Sequence, residues 1–259
     1  MSYGPNIPPV DREIFAAPPL KAMLGQVRFP PILKIADVGS LGGFQDAIRE
    51  DWPQFAQEQQ LGILVGPQGL QEAGATRAFR FTAADGMWSA LLTPDALTLE
   101  AALPAGRYTS YEEFSDCFTR VWTAFRAQFK PAAVVQQGLR YVDHIERELP
   151  PAEWATLVNP ELLGPLAASL SDGVVQAISD LRFQREDGVL AFKHGLVPAG
   201  PENKFGYLLD FDYFTQEQTD DTSVEAIMAR FDRYHDVIYA FFRWCVTEVA
   251  IKEFRDANG

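Results

Sequence analysis

The sequence predicts an α+β fold in which antiparallel strands are covered by helices on one face. The first observation behind this prediction is a pair of hairpin signals, because Asp85-Gly86 and Asp187-Gly188 each separate two apolar segments of strand length. The second is that these signals end two similar motifs, FRFTAADG at 79–86 and LRFQREDG at 181–188. The third is that each run of strands is followed by an amphipathic helical pattern.

Residues 21–133 are predicted to form the first of two similar halves. The expected elements are strand 24–35, helix 44–52, strands 75–81, 87–93 and 96–103, and helix 110–129. Pro30 and Pro31 cannot donate ladder hydrogen bonds, so the first strand is expected at a sheet edge or with a bulge. Ser110 and Glu113 match a capping box at the start of the last helix.

Residues 134–259 are predicted to repeat the order β-α-β-β-β-α, which we interpret as an internal duplication. The expected elements are strand 134–145, a proline-interrupted helical region at 151–170, strands 174–184, 188–196 and 206–214, and a long last helix from Ser223, with Thr222 and Glu225 as its capping box. The proline-rich residues 1–20 are expected to be an extended arm. The competing interpretation is that the shared motif arises by chance, because Arg-Phe and Asp-Gly are common in β-hairpins.

Two such halves, joined as one compact unit, predict a saddle-like sheet of the TATA-binding-protein or helix-grip type. This is an analogy of fold and carries no function with it. The glycine-rich segment GILVGPQGLQEAGA at 62–75 lacks the Gly-Lys-Ser/Thr ending of a phosphate-binding loop. We expect it to be a flexible loop.

The last helix has an unusually wide apolar arc. Its main stripe runs from Val224 to Val249, and Val237, Trp244 and Ile251 add apolar surface beside it. Such an arc requires burial on more than one face. Packing within the chain is the first explanation, and a homodimer through this C-terminal helix is the alternative.

Composition excludes several classes of function. The chain has 259 residues and a net charge of −13, which argues against a nucleic-acid partner held by long-range attraction. Neither a signal-peptide pattern nor a membrane-length apolar run occurs, so we expect a cytoplasmic protein without a membrane partner. Cys117 and Cys245 lie in apolar helical patterns and are expected to be buried thiols. We predict no metal site and no cofactor.

Four arginines lie between apolar residues of predicted strands, in VRF, FRF, LRY and LRF. Strand alternation directs them away from the helix-covered face, where they are candidate ligand-binding residues: Arg28, Arg80, Arg140 and Arg182. Guanidinium groups suit carboxylate or phosphate recognition, which predicts a small anionic ligand or a protein partner. The alternative is that each arginine pairs across strands with one of the carboxylates Asp210, Asp212, Glu100 or Asp143.

A catalytic interpretation has less support in the sequence. Asp210 and Asp212 share one face of a predicted strand and, with His144, form an alternative acid–base or cation site. His144 and Asp143 are adjacent on a strand, so they point to opposite faces. His235 is one helical turn from Asp232 and is expected to hydrogen-bond to it. The chain lacks the common hydrolase, zinc and phosphate-binding motifs, and no catalytic residue is predicted.

Three segments carry a family resemblance. PPLKAMLGQVRFPPILKI, FQDAIREDWPQF and GLRYVDHIE, together with the hairpin segment between the last two, occur here in a fairly specific order. In this order they resemble a sporadically distributed bacterial family of roughly this length. The resemblance covers nearly the whole chain and implies a complete family member without an appended catalytic domain. It implies no activity and no catalytic residues, and the patchy distribution suggests an accessory role such as defence.

These observations favour a non-enzymatic binding or interaction protein that uses the arginine-bearing sheet face. Two alternatives stay open. One is a hydrolase or lyase with a carboxylate–histidine site, and the other is a structural subunit of a larger complex, which an exposed apolar patch on the last helix would indicate.

Overall fold

A computed structural model describes residues 7–66, 69–103, 110–147, 149–167, 173–199, 205–215 and 217–256. In these residues nine antiparallel strands form one open sheet. Aromatic contacts place the described helices on the same face of that sheet, as in the edge-to-face pairs Phe44–Phe81 and Phe211–Phe241. The α+β prediction with helices on one face is therefore confirmed at this level.

The elements follow the chain as strands and helices of ordinary length. The strands are β1 (Leu20–Arg28), β2 (Gln54–Gly66), β3 (Gly69–Thr82), β4 (Trp88–Thr93), β5 (Ala96–Ala102), β6 (Gln136–Glu146), β7 (Ala177–Arg185), β8 (Gly188–Pro198) and β9 (Phe205–Thr215). The helices are α1 (Gly42–Ile48), α2 (Tyr111–Phe129), α3 (Val224–Cys245) and α4 (Glu248–Arg255).

The strand order is β2-β3-β4-β5-β1-β6-β9-β8-β7, which makes β1 a central strand. The expectation that β1 lies at an edge or carries its prolines in a bulge is wrong. β1 ends at Arg28, so Pro30 and Pro31 lie beyond the ladder and remove no hydrogen bond from it. The chain then turns past the β4–β5 hairpin, where the Phe29 amide donates to the Asp95 carbonyl at 3.0 Å.

The loop expected at 62–75 is a second correction. The described residues of this segment belong to β2 and β3, which pair up to Gly66 and Gly69. The β-branched and apolar run Ile63-Leu64-Val65 favours a strand, and this preference outweighs the flexibility of the flanking glycines. The first half therefore has one strand more than the sequence predicts.

Helix boundaries follow their capping residues. The Ser110 hydroxyl accepts from the Glu113 amide and starts α2, as predicted. Ser223, not Thr222, caps α3 by accepting from the Ala226 amide. The expected helical region at 151–170 consists of short 3-10 turns between Pro151 and Ala167, and residues 168–170 lie outside the described part of the chain.

The single long C-terminal helix is a further correction. α3 ends at Cys245 because Val246 is extended and forms a bridge with Val158. α4 then begins, and the Thr247 hydroxyl caps it by accepting from the Ala250 amide. The chain thus divides one apolar pattern between two helices, which pack against different neighbours.

The wide apolar arc of this region is buried within the chain. Val237 and Trp244 are half-buried against the core, and Trp244 packs on Phe241 with 5.7 Å between ring centroids. Val249 is exposed, as a single side chain on α4. Intrachain packing accounts for the arc, and the homodimer stays a prediction. No helix in the described residues is long and apolar enough to span a membrane.

The two long helices cross above the middle of the sheet. Phe114 of α2 and Phe231 of α3 meet edge-to-face at 5.4 Å, and both rings lie over Gly25 of β1. A Cβ at this glycine would lie 2.3 Å from Phe114 Cζ. The absence of a side chain at Gly25 is therefore what allows the helices to approach the sheet. Both cysteines of the chain, Cys117 and Cys245, are buried free thiols, as predicted.

Replacement of Gly25 by alanine tests this close approach. We expect Gly25→Ala to lower the free energy of unfolding by about 1–3 kcal/mol, because both phenylalanine rings must move. Gly42→Ala is the control, since Gly42 has ordinary helical angles and no atom within 4 Å of an added Cβ. Urea denaturation of the two variants measures the difference. Equal stabilities would contradict the packing described above.

Candidate functional site

The two faces of the sheet carry different chemistry, and strand β6 illustrates how. Alternation places Leu139, Tyr141 and Asp143 under the helices, whereas Arg140 and His144 lie on the open face. The sequence prediction that Asp143 and His144 point to opposite faces is thus confirmed. Each face contains one candidate site.

The four predicted arginines all lie on the open face. Arg28 forms an ion pair with Asp95 at the β4–β5 turn. Arg80 contacts Glu58 and Glu100 on the neighbouring strands, at 2.7 and 2.6 Å. These cross-strand pairs neutralise two of the four guanidinium groups, as the alternative interpretation of the sequence proposed.

The other two arginines flank the second half of this face. Arg140 donates two hydrogen bonds to the Asp210 carboxylate, at 2.8 and 2.7 Å. Within the described residues, no carboxylate lies within 4.0 Å of the Arg182 guanidinium, although Asp212 is near enough to interact electrostatically. Asp143, named as a pairing partner from the sequence, is on the opposite face and pairs with none of the arginines.

Pairing across four strands places Arg182 and Arg140 in one row. Arg182 lies opposite Ala191, Ala191 opposite Asp212, and Asp212 opposite Arg140. The small Ala191 leaves space between the charged groups. A groove of about 460 Å³ opens beside this row, and its polar lining includes Gln26, Thr98, Gln136, Arg140, Arg182 and Asp212.

The carboxylate–histidine cluster has no hydrogen-bonded core. His144 Nδ1 lies 3.3 Å from the Glu146 carboxylate, and its buried Nε2 has no hydrogen-bond partner within the described residues. His144 lies opposite Leu208 on β9, and its imidazole packs against Gly206, on one side of Leu208. Asp210 lies on the other side of Leu208, so the imidazole is directed away from it. Burial lowers the pKa of His144. The described residues also contain no group of three or more His, Cys, Asp or Glu side chains suited to a metal ion.

The helix-covered face contains a cavity of about 90 Å³ over β1 and β6. Its walls come from the N-terminal arm, α2, α3 and the centre of the sheet. The lining that matters chemically is Asp143 together with the aromatic side chains Phe15, Tyr111, Tyr141, His235 and Phe242. Sequence analysis did not predict this cavity.

Among the described carboxyl groups that line the cavity, only that of Asp143 is buried in apolar surroundings. Asp143 is 6% exposed, and none of the described residues forms a hydrogen bond or ion pair with its carboxyl group. Burial, with a smaller effect of the Asp210 charge, raises the pKa of Asp143 to about 8. A carboxyl in this state is neutral over much of the physiological range.

The aromatic wall is held by polar contacts at its edges. The Tyr111 ring stacks on His235 with 4.1 Å between centroids, and its hydroxyl donates to Asp232 at 2.8 Å. His235 Nδ1 lies 2.9 Å from the Tyr141 hydroxyl, and burial lowers the pKa of His235 to about 3. The expected His235–Asp232 hydrogen bond is therefore replaced by two contacts to tyrosines. Both are long-range contacts that the helical spacing does not encode.

The N-terminal arm closes one side of the cavity and is attached to α3 and α4. Arg12 pairs with Asp236 at 2.7 Å, and its guanidinium lies 5.2 Å from the centre of the Tyr111 ring. The Glu13 amide donates to the Tyr239 hydroxyl at 3.0 Å. These contacts hold the arm beside the mouth, and residues 1–6 lie outside the described part of the chain. The extended conformation of residues 1–20 stays a prediction.

One signal in the sequence points to the cavity. In GLRYVDHIE the inward positions of β6 are Leu139, Tyr141, Asp143 and Ile145, so a carboxyl occupies a position that alternation assigns to the core. A buried polar group without a partner is costly and often functional. The sequence prediction that Asp143 pairs with an arginine is wrong, because alternation places the two on opposite faces.

Comparison with known proteins adds no functional assignment. No protein-family model matches the chain, and no curated protein is significantly similar to it in sequence. The resemblance to a sporadically distributed bacterial family stays a prediction.

Asp143→Asn tests the state of the buried carboxyl through stability. In the unfolded chain the carboxyl is ionised above its ordinary pKa, whereas in the folded chain it stays protonated up to about pH 8. Its contribution to the free energy of unfolding therefore falls by about 1.4 kcal/mol per pH unit between these values. We expect the asparagine variant to lose this slope and to be more stable than the wild type at about pH 8.

Urea denaturation at several pH values measures both slopes. Asp51→Asn is the control, because Asp51 forms its ion pair with Arg120 well outside the cavity. The control is expected to keep the wild-type slope. Parallel profiles for the wild type and Asp143→Asn would contradict a protonated Asp143 in the folded protein.

Proposed function

We propose that the protein is a non-enzymatic binding protein whose groove on the open sheet face takes a small anionic ligand. The observation that carries this proposal is the state of Arg182. Three of the four arginines on this face have a carboxylate partner at close range, whereas Arg182 has none among the described residues. Its guanidinium is exposed on the edge of the groove and is free to bind a carboxylate or phosphate.

The groove also has the neutral polar groups that such a ligand requires. Gln26 donates to the Thr98 hydroxyl at 2.9 Å, and the Gln136 amide lies on the same lining. Gly138 contributes no side chain, so the groove is deep between Arg140 and Gln136. An anion bound to Arg182 would therefore have amide donors within the same concave surface.

The presence of acidic side chains limits the partner to something small. Asp212 lies in the same row as Arg182, and burial raises the pKa of Asp212. With a net charge of −13, the protein attracts no extended polyanion. A compact ligand with one or two acidic groups is compatible both with the nearby Asp212 and with the negative net charge. Nucleic acid is compatible with neither.

The two alternative functions have weaker support. A hydrolase or lyase using Asp210, Asp212 and His144 would need His144 within reach of a carboxylate that is free to act. Both Asp210 oxygens accept from Arg140, and His144 Nε2 faces Gly206. A subunit role through α3 would need an exposed apolar surface that the described part of this helix does not present.

The proposal extends to the origin of the fold. Read from the two sides toward the centre, the strand orders β3-β4-β5-β1 and β7-β8-β9-β6 match in sequence order, and each half ends in a long helix. This correspondence supports two duplicated halves that meet at the β1–β6 pair, with β2 as an addition to the first. A saddle of the TATA-binding-protein or helix-grip type is the corresponding proposal for the sheet.

Native mass spectrometry of the purified protein tests the binding proposal. We expect the wild type to carry a compact anion, or to bind one from a panel of phosphate, succinate and nucleoside monophosphates. Arg182→Ala is expected to weaken binding at least tenfold, since it removes a charge-assisted bidentate contact. Arg182→Lys is expected to recover part of it, because lysine retains the charge without the planar geometry.

Arg49→Ala is the charge-matched control, since Arg49 is exposed at the end of α1 on the other face. It is expected to bind like the wild type. A wild-type protein that binds none of the anions, or an Arg182→Ala variant that binds them equally well, would remove the proposal.

A further inference from the structure

We infer that the cavity around Asp143 is a second site, which binds a small organic cation such as a protonated or quaternary amine. This site lies on the helix-covered face and is independent of the groove that carries Arg182. The inference stands on three features of the cavity: an unpartnered carboxyl directed into it, a wall of aromatic rings, and a size suited to a few non-hydrogen atoms.

The carboxyl is the first feature. A buried polar group is normally hydrogen-bonded, and one without a partner is destabilising unless something else satisfies it. Asp143 has neither a cationic partner nor a donor within the described residues, yet it lies on the cavity lining. A cation in the cavity would supply the missing charge, and the attraction would be strong because the surroundings are apolar.

The aromatic wall is the second feature. Tyr141, Phe15 and Phe242 line the cavity together with Asp143, and Phe15 packs against Phe242 at 6.3 Å. The faces of such rings attract cations, and cages of this composition bind alkylammonium groups. The faces of the Tyr111 ring are already covered by His235 and by the Arg12 guanidinium, so Tyr111 forms part of the wall without offering a face to the ligand. His235 supports the same choice, since burial lowers its pKa to about 3 and the imidazole adds no positive charge.

The size of the cavity is the third feature. Its volume of about 90 Å³ is smaller than the roughly 150 Å³ of a cavity that holds benzene. A small ammonium head group that extends partly into the open mouth is therefore the appropriate class, whereas a nucleoside or a peptide side chain with a bulky end is not. Access is from the mouth beside the arm, where Ile14 is 68% exposed.

The charge of Arg12 at the mouth does not oppose a cation. Its guanidinium pairs with Asp236 at 2.7 Å, so the local charge is compensated. Glu13 and Glu112 also border the mouth and add negative charge. Arg12 over the Tyr111 ring shows that this aromatic cluster already accommodates one cation on its outer side.

The titratable groups around Asp143 come from every element that packs on the cavity. On the arm and α2 these are Arg12, Glu13, Tyr111 and Glu112. On α3 and the sheet they are His235, Tyr239, Cys245, Tyr141 and Asp210. Burial raises the pKa of Tyr111 and of Cys245, and it lowers the pKa of His235, so these three groups stay neutral at about pH 7.

Tetramethylammonium is the probe, because its charge is independent of pH. Isothermal titration calorimetry and ligand-observed NMR with the full chain are expected to show saturable binding at about pH 8.5. Below the pKa of Asp143 a proton must leave before the cation pairs with the carboxylate. The affinity is therefore expected to fall about tenfold per pH unit below about pH 7.5, with about one proton released for each cation bound.

Matched probes and variants separate this result from general binding to an apolar cavity. tert-Butanol and trimethylacetate have a similar shape but no positive charge, and both are expected to bind at least tenfold more weakly. Asp143→Asn is expected to lose at least tenfold in affinity at about pH 8.5 and to lose the pH dependence. Asp51→Asn, outside the cavity, is expected to keep both.

Any one of the following results overturns the inference, whether or not the groove beside Arg182 binds an anion. Absence of saturable tetramethylammonium binding up to about 50 mM would do so. So would equal binding of tert-butanol, stronger binding of trimethylacetate, or an affinity of the wild type that is independent of pH. The pH profile and the proton release use the wild-type protein, so the test does not depend on the folding of a variant.

Discussion

The antiparallel pairing of β1 with β6 is the interaction on which the rest of the structure depends. It joins strands that are more than a hundred residues apart, and it makes one sheet of two sets of strands. The same pairing sets which side chains face the helices. Because β1 presents Gly25 beneath Phe114 and Phe231, the two long helices approach the sheet closely at its centre. Both candidate sites lie next to this pair, one on each face.

The two faces balance charge in different ways. On the open face, arginines and carboxylates alternate across strands and largely neutralise each other, which leaves Arg182 as the exception among the described residues. On the helix-covered face, Asp143 has no counter-charge and is kept neutral by burial. One basic and one acidic group without a close partner are thus present on opposite sides of one sheet. The exposed Arg182 is hydrated, whereas the buried Asp143 costs stability, and a buried group of this kind is a candidate for a functional site.

Local sequence signals predicted much of this fold. The Asp85-Gly86 and Asp187-Gly188 turns, the Ser110 cap and the alternation that places Arg140 away from the helices depend on neighbours within a few residues. The central position of β1 and the cavity around Asp143 depend on contacts between distant segments. The arm that closes the cavity comes from residues 12–18, whereas its carboxyl comes from β6. Sequence periodicity marks Asp143 as inward-facing but does not name its neighbours, and for this reason the cavity was missed.

The protonation state of Asp143 is the property that most directly tests this account, and carbon NMR of the protein with ¹³C-labelled aspartate side chains measures it. One carboxyl resonance, assigned by its loss in Asp143→Asn, is predicted to titrate with a pKa of about 8. This result would place a neutral, unpartnered carboxyl in the cavity. Titration of the same resonance near the ordinary aspartate value of about 4 would contradict the account, because Asp143 would then be solvated or paired.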